Sequence, residues 1–192
     1  MTQPYAARTQ EEMKDVLMFP NADGPTIHYY MIRGGREKSN ITVWEPGVVG
    51  GEYIKSYGHY HRDDIQETYT ILQGEGIVLL QERAIDTVGR PIDDEITSVH
   101  AIKVKAGDKV VIPLRAGHLA INTGTTWLVT SDDSPVNFSE KDAVSKPGHA
   151  DYTPYQKLHG AAYYVGMKDG QPTFIKNSNY KVVPPIQIVE TK

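Results

Sequence analysis

The sequence contains no cysteine, no long apolar run and no surplus of basic residues. Without cysteine there can be no disulfides, iron–sulfur clusters or thiolate zinc sites, so a metal would have to bind His, Asp, Glu or water. No run approaches the ~18–20 apolar residues of a membrane helix, and residues 1–15 lack a secretory apolar segment. The net charge of −4 argues against nucleic acid as the main partner. We therefore expect a cytoplasmic protein that binds neither membranes nor nucleic acid.

Leucine is also scarce: there are 8 leucines against 33 valines and isoleucines together. This bias favours β-strands, and the apolar alternation breaks into short segments separated by glycine and proline. No pattern of crossover helices accompanies them, so an antiparallel sandwich or barrel is expected. The predicted strands are 26–33, 40–45, 52–57, 67–72, 76–82, 98–104, 109–113, 118–122, 127–131, 161–165 and 171–176.

The 192 residues are interpreted as a single domain, with an extension at 1–25 and a barrel at 26–181. One short helix is predicted over 9–17, where Thr9 and Glu12 fit a capping box. Residues 83–97 and 132–160 are polar insertions, and the first could equally be the end of a long hairpin. The acidic clusters at 93–95 and 132–133 are expected in solvated loops. A final hairpin is predicted to turn at Asp169 and Gly170.

Histidine and glutamate are spaced in a way that points to metal chemistry. His59 and His61 stand two apart, which puts both imidazoles on one face of a strand. Glu67 follows, and Gly74 comes seven residues later. Downstream, the chain reads Gly-x5-Pro-x4-His-x3-Asn, ending in His118 and Asn122.

These two segments resemble the motifs of the cupin superfamily, HxH…E-x6-G and G-x5-P-x-G-x2-H-x3-N. Two departures are visible: five residues separate His61 from Glu67, and Arg115 occupies the place of the second motif's middle glycine. The resemblance implies a jelly-roll barrel (double-stranded β-helix) with His59, His61, Glu67 and His118 as metal ligands. Such a mixed N/O site suits one divalent transition metal per subunit; Fe(II) is the expected ion, with Mn(II), Ni(II), Co(II) or Zn(II) as alternatives.

The flanking residues are more specifically similar to the cupin-type glucose-6-phosphate isomerases. The similarity runs from about residue 26 to 181 and includes Ser-Tyr-Gly-His-Tyr-His at 56–61, Glu-Thr-Tyr at 67–69 and the Gly-His at 148–149. It implies a homodimeric enzyme of glycolysis and gluconeogenesis that interconverts glucose-6-phosphate and fructose-6-phosphate. The family's lysine before the Gly-His pair is replaced by Tyr57, with Lys55 on the same strand face.

The resemblance also implies roles for individual residues. Thr42, Ser56 and Gly58 would bind the phosphate, and Tyr29 would lie beside the sugar. The residues expected nearest the chemistry are Glu67, Tyr69, His149 and Tyr152.

Several alternatives remain open from the sequence. Glu67 can act as a general base or only as a metal ligand, because a metal-bound carboxylate is a weaker base. A hydride shift therefore competes with proton transfer, and use of mannose-6-phosphate is undecided. A cupin dioxygenase or a non-catalytic sugar-phosphate-binding protein would have the same ligands, and a polar rather than apolar pocket beside the metal would argue against the dioxygenase. His28 could exchange roles with Tyr29, whereas His100 and His159 are expected to be ordinary structural residues.

Overall fold

The computed structural model describes residues 5–34 and 40–191, and β-strands dominate both ranges. Two short α-helices are present, α1 (Gln10–Met13) and α2 (Thr153–Lys157), and a 3₁₀ turn at Lys14–Val16 follows α1. The strands are β1 (Tyr5–Thr9), β2 (Ile27–Ile32), β3 (Asn40–Trp44), β4 (Val48–Val49), β5 (Glu52–Tyr53), β6 (Tyr60–His61), β7 (Glu67–Gln73), β8 (Glu75–Ile85), β9 (Pro91–Lys105), β10 (Lys109–Ile112), β11 (Gly117–Asn122), β12 (Leu128–Asp132), β13 (Ala150–Asp151), β14 (Tyr163–Lys168), β15 (Gln171–Lys176) and β16 (Gln187–Glu190).

The strands assemble mainly into a six-stranded sheet, ordered β1-β2-β3-β12-β7-β10, and a four-stranded sheet, ordered β11-β8-β9-β16. Non-consecutive strands are neighbours in both sheets, as in a jelly roll, and the predicted all-β jelly-roll class is confirmed. Both sheets contribute to one apolar cluster that includes Ile71, Ile112, Leu79 and Ile121. Burying each such side chain stabilises the fold by about 1.5–3 kcal/mol.

The first strand, β1, was not predicted from the sequence. It pairs antiparallel with β2 and is the outermost strand at its end of the six-stranded sheet. The helix predicted just after β1 is present but shorter than the predicted range 9–17. Thr9 and Glu12 form the predicted capping box, and α1 ends at Met13. The extension at 1–25 therefore contributes a strand to the barrel within its described residues.

Residues 83–97 form the end of a long hairpin rather than a polar excursion. β8 and β9 pair antiparallel as far as Ile85 and Pro91, with register shifts near Arg83. The acidic cluster at 93–95 lies on β9 and is half-buried, so its expected placement in a solvated loop was wrong. β16 then pairs parallel with β9, a contact between distant parts of the chain that the sequence did not reveal.

The final hairpin, β14 to β15, turns at Asp169 and Gly170 as predicted, both with positive φ (53° and 75°). This backbone twist matches that of the flanking strands. The predicted strand at 52–57 is shorter than expected, because only Glu52–Tyr53 pairs as a strand. No helix within residues 5–34 and 40–191 is long and apolar enough to cross a membrane.

Candidate metal centre and substrate pocket

The four predicted metal ligands come from three neighbouring parts of the barrel. His59 and His118 exchange two backbone hydrogen bonds, with N–O distances of 3.2 and 3.0 Å, so β11 holds both histidines at one position. His61 lies in β6, on the same side as His59, and Glu67 begins β7. The i, i+2 spacing of the two histidines therefore does place both rings at one site.

Their ligand atoms converge to within 4.8 Å of one another. Glu67 Oε2 lies 3.0 Å from His118 Nε2 and 3.5 Å from His61 Nε2. These three atoms and His59 Nε2 are buried and have no hydrogen-bond partner among the described residues. Leaving a buried polar atom unpaired costs about 1–3 kcal/mol, which a bound cation would remove. Three imidazoles and one carboxylate thus fit a single divalent transition metal.

Backbone carbonyls set the tautomer of two of these histidines. His61 Nδ1 lies 3.0 Å from the carbonyl oxygen of Ile65, and His118 Nδ1 lies 3.3 Å from that of Ala116. Because a carbonyl only accepts, each Nδ1 carries the proton and each Nε2 is left free to bind a metal. Ile65 is one of the five residues that separate His61 from Glu67. This longer spacing therefore supplies the carbonyl oxygen that orients the His61 ring.

The electrostatics of the site favour a charged Glu67 carboxylate beside a neutral His59 imidazole. Burial alone would raise the pKa of Glu67, but the adjacent His118 and His61 hold that pKa well below its usual value. Burial, with a further contribution from His118, lowers the pKa of His59 far below its ordinary range. Burial opposes the charge on His61 as well, yet Glu67 raises the pKa of His61 overall.

The substitution of arginine for the motif glycine has a visible structural consequence. Arg115 adopts φ 65°, the left-handed conformation that glycine adopts without strain. The turn leading to His118 keeps its shape even though the usual residue is missing. Gly58, before His59, also has a positive φ (84°), and a Cβ there would overlap the ring of Tyr155.

One pocket is lined by three of the four candidate metal ligands together with every residue predicted for substrate contact. It is lined on one side by His59, Glu67 and His118. The predicted substrate-contacting residues all line it too: Tyr29, Thr42, Ser56, Gly58, Tyr69, His149 and Tyr152. Their roles remain predictions, but the geometry brings them together.

His149 and Tyr152 reach the pocket through a short strand pairing. β13 pairs with β6, so Ala150 lies opposite His61. The ring centroids of His149 and His61 are 5.4 Å apart, and those of Tyr152 and His59 are 5.4 Å apart. Related enzymes are expected to read His-Asp-Tyr here, whereas Ala150 stands between His149 and Asp151 in this chain. Both His149 and Tyr152 nevertheless line the pocket. Burial and the nearby His61 lower the pKa of His149, which keeps its imidazole neutral near pH 7.

The hydroxyls predicted to bind phosphate differ in their availability. Thr42 Oγ1 accepts a hydrogen bond of 3.1 Å from Arg33 Nη1, which leaves its own proton free to donate. Ser56 Oγ instead bridges the backbone of Ala120, accepting from its N–H at 2.9 Å and donating to its carbonyl at 3.3 Å. Thr42 is thus the better placed donor, whereas Ser56 also ties two chain segments together.

Two charged pocket residues were missed by the sequence interpretation. Arg33 lines the pocket beside Thr42, on the same strand face as Tyr29 and Met31. Asp132 lines it opposite Tyr69 and is only 6% exposed, so its assignment to a solvated loop was wrong. The strand simply continues one residue further, and the alternation of inward side chains in β12 could have revealed this.

Asp132 is rigidly oriented. Its Oδ1 accepts hydrogen bonds from Asn40 Nδ2 at 2.7 Å and from Ser134 Oγ at 2.6 Å. Its Oδ2 lies 3.9 Å from Arg33 Nη1. Burial, and secondarily the negative charge of Glu67, raise the pKa of Asp132. The pocket therefore holds one fixed guanidinium and two fixed carboxyl groups.

Three histidines and Lys55 lie outside this pocket. His28 is buried on the other face of β2 and donates a hydrogen bond to the side chain of Gln10, so it does not exchange places with Tyr29. His100 lies on β9 and His159 in the turn after α2. Lys55 is buried in an ion pair with Glu52 and donates to the carbonyl of Val16, so it does not replace the lysine of the related enzymes.

The model of the family described as "Glucose-6-phosphate isomerase (GPI)" matches residues 21–182. The chain belongs to this family. It is 30% identical to a glucose-6-phosphate isomerase of Thermococcus litoralis over 112 residues, which cover 56% of this chain and 53% of that protein. The match thus spans about half the length of this curated relative.

Two solved structures that the chain matches are similar to it at low identity and low TM-score. A predicted oxalate decarboxylase from Thermotoga maritima is 20% identical, with a TM-score of 0.37, over 54% of this chain and 76% of that one. The CENP-C cupin domain of Drosophila melanogaster is 12% identical, with a TM-score of 0.39, over 57% and 70% of the two chains.

Proposed function

We propose that the protein is a metal-dependent aldose–ketose isomerase that interconverts glucose-6-phosphate and fructose-6-phosphate. Its membership of the glucose-6-phosphate isomerase family supports the reaction class. The observation that carries the proposal is the pocket itself, in which the guanidinium of Arg33 and the hydroxyl of Thr42 share one cavity with His59, His118 and Glu67. A guanidinium with hydroxyl neighbours suits a phosphorylated substrate.

The polarity of this pocket also discriminates between the alternatives. Hydroxyl and charged groups from Thr130, Asp132 and Ser134 add to those of Arg33 and Thr42. A dioxygenase acting on an apolar substrate would need a mainly apolar lining, so this lining favours a sugar phosphate. The same groups would serve a non-catalytic sugar-phosphate-binding protein, which only a turnover assay separates from an enzyme.

His59, His61, Glu67 and His118 would hold the metal, with Fe(II) as the expected ion. A divalent cation bound there would polarise the substrate oxygens at C1 and C2 and lower the pKa of a hydroxyl. Tyr69 would donate a hydrogen bond to a sugar oxygen, because burial and Glu67 raise the pKa of Tyr69 and keep its phenol protonated. Burial likewise raises the pKa of Tyr152.

The hydrogen that moves between C1 and C2 needs either a base or a direct hydride shift. Glu67 is charged and central but is also a metal ligand in this proposal. His149 is neutral and lines the same pocket, so it can relay the proton between the substrate oxygens. Arg33, Thr42, Ser56 and Gly58 would hold the phosphate, and Tyr29 lines the same pocket.

The test is a coupled assay of fructose-6-phosphate conversion by protein stripped with EDTA and reloaded separately with Fe(II), Mn(II), Ni(II), Co(II) or Zn(II). We expect a metal to restore turnover, and His59→Ala to abolish it. His100→Ala is the matched control, since His100 lies on β9 outside the pocket. Full metal loading without turnover would contradict the proposal, and oxygen uptake would then favour a dioxygenase.

We also propose, from the family resemblance, that the active form is a homodimer in the cytoplasm. Analytical ultracentrifugation at micromolar concentration tests the assembly: a single species near 43 kDa, twice the 21.4 kDa of the chain, is expected. A monomer that is fully active would contradict it.

A further inference from the structure

Arg8, on the unpredicted strand β1, places a buried positive charge directly behind the pocket wall. Its side chain is only 2% exposed. Nη1 lies 3.3 Å from Glu12 Oε1, and Nη2 donates to the carbonyl of Ser145 at 2.6 Å. Nε donates to the hydroxyl of Tyr29 at 3.2 Å. Each nitrogen of the guanidinium has its own partner, so the whole fork is fixed in one orientation.

The hydroxyl of Tyr29 accepts a second hydrogen bond, from the backbone N–H of Tyr57 at 3.3 Å. A phenolic hydroxyl has two acceptor lone pairs and one proton to donate. With both lone pairs engaged, Tyr29 can only donate. None of the described residues accepts that proton, and Tyr29 lines the pocket with His59 and Glu67. The donor is therefore available to a ligand.

The charge of Arg8 favours one kind of acceptor. The guanidinium carbon lies 5.9 Å from the ring centroid of Tyr29, 5.6 Å from that of Tyr57 and 6.0 Å from that of Tyr152. A cation behind a hydroxyl strengthens its donation to an anionic oxygen more than to a neutral one. Of the substrate oxygens in the proposed reaction, the phosphoryl oxygens carry the negative charge.

We propose that Arg8 is a positioning residue that makes Tyr29 an obligate hydrogen-bond donor to a phosphoryl oxygen of the substrate. The inference rests on the proposed function for the identity of the ligand. Arg8 itself is not among the residues that line the pocket with His59 and Glu67. Each nitrogen of its guanidinium is already held by Tyr29, Glu12 or Ser145. Its effect on binding must therefore pass through the Tyr29 hydroxyl.

A double-mutant cycle tests this dependence. Fructose-6-phosphate binding is measured by titration calorimetry for the wild type, Arg8→Met, Tyr29→Phe and the double variant. Tyr29→Phe should weaken binding about 10- to 100-fold, the effect of one hydrogen bond to a charged group. Arg8→Met should weaken binding to a similar or smaller extent, and the double variant should bind no more weakly than Tyr29→Phe. Losses that multiply in the double variant would overturn the inference.

Three controls separate positioning from damage to the fold. Tyr30→Phe alters the neighbouring tyrosine, whose ring packs on Trp127, and should bind normally. Arg8→Lys keeps the positive charge but loses the planar guanidinium geometry, and it replaces Arg8→Met in the cycle if that variant does not fold. Arg8→Lys should also bind fructose-6-phosphate more weakly than the wild type. Only variants whose thermal unfolding temperature and metal content are close to those of the wild type are compared in the cycle.

Further outcomes keep this inference distinct from the proposed function. If the wild type binds fructose-6-phosphate without converting it, the proposed isomerase function is refuted. The double-mutant cycle of Arg8 and Tyr29 would still test the role of Arg8 in binding. An equal loss for unphosphorylated fructose would place the acceptor on the sugar ring and overturn the phosphoryl assignment. A wild type that binds no sugar phosphate would overturn both.

Discussion

Gly58, the residue before the candidate metal ligand His59, allows a quantitative test of how the site is built. Its φ of +84° is a conformation that costs a residue with a side chain about 1–2 kcal/mol. A Cβ at this position would also overlap the ring of Tyr155, which is fully buried. Overpacking of this kind costs typically about 1–3 kcal/mol. Gly58→Ala should therefore reduce the free energy of unfolding by about 2–5 kcal/mol.

A second glycine in the same conformation isolates the steric part. Gly89 has φ +86°, but a Cβ there would meet no atom within 4 Å. Gly89→Ala should lose only the conformational part, about 1–2 kcal/mol. Urea unfolding of both metal-saturated variants measures the difference, which we expect to be about 1–3 kcal/mol. Equal losses in the two variants would refute the argument that Tyr155 requires glycine at position 58.

Three further predictions concern charge and metal. Glu67→Gln should weaken metal binding about 10- to 100-fold, as measured with a competing chelator, whereas the control Glu82→Gln, at an exposed residue, should bind metal normally. If excess metal fully restores the activity of Glu67→Gln, Glu67 is not the catalytic base. Arg33→Met should raise KM for fructose-6-phosphate about tenfold or more, with Arg33→Lys intermediate, and an unchanged KM would remove Arg33 from the phosphate site. Burial, and then Lys55, lower the pKa of His28 to about 4. Because the unfolded chain binds the proton more readily, folding should lose up to about 3 kcal/mol of stability as the pH falls from about 6.5 to 4. His28→Gln should reduce this loss, as measured by urea unfolding at each pH.

The four candidate metal ligands were predictable because two short motifs of the chain resemble those of the cupin superfamily. His59 and His61 share a strand face by simple alternation, and glycine and proline at fixed spacings mark the turns around Glu67 and His118. The turn of the last hairpin was also predictable, because Asp-Gly is typical of two-residue turns in which both residues have positive φ, as Asp169 and Gly170 do. In each case the responsible interactions span only a few residues.

The sequence interpretation failed where strand ends and long-range contacts matter. Asp132 looked like part of an exposed acidic pair, yet β12 continues far enough to bury it while Asp133 stays outside and accepts from the N–H of Thr68. The hairpin of β8 and β9 extends well into the region that had looked like loop. Alternation alone does not say how far pairing continues, because a partner strand elsewhere in the chain decides it.

By itself, the sequence determined the all-β class and, through the resemblance of its motifs to the cupin superfamily, the candidate metal ligands and most of the residues around them. The class follows from residue type, alternation and turn chemistry, which act over short distances along the chain. Only the tertiary structure decided which charges lie in or behind the pocket wall: Arg33 directly after β2 and Asp132 on β12 line the pocket, and Arg8 on β1 lies behind it. Sheet pairing brings these segments together. Only the tertiary structure, too, separates Lys55 from the pocket, because burial against Glu52 satisfies its charge elsewhere. Strand pairing between distant segments is a property of the whole packed chain, and no local pattern specifies it.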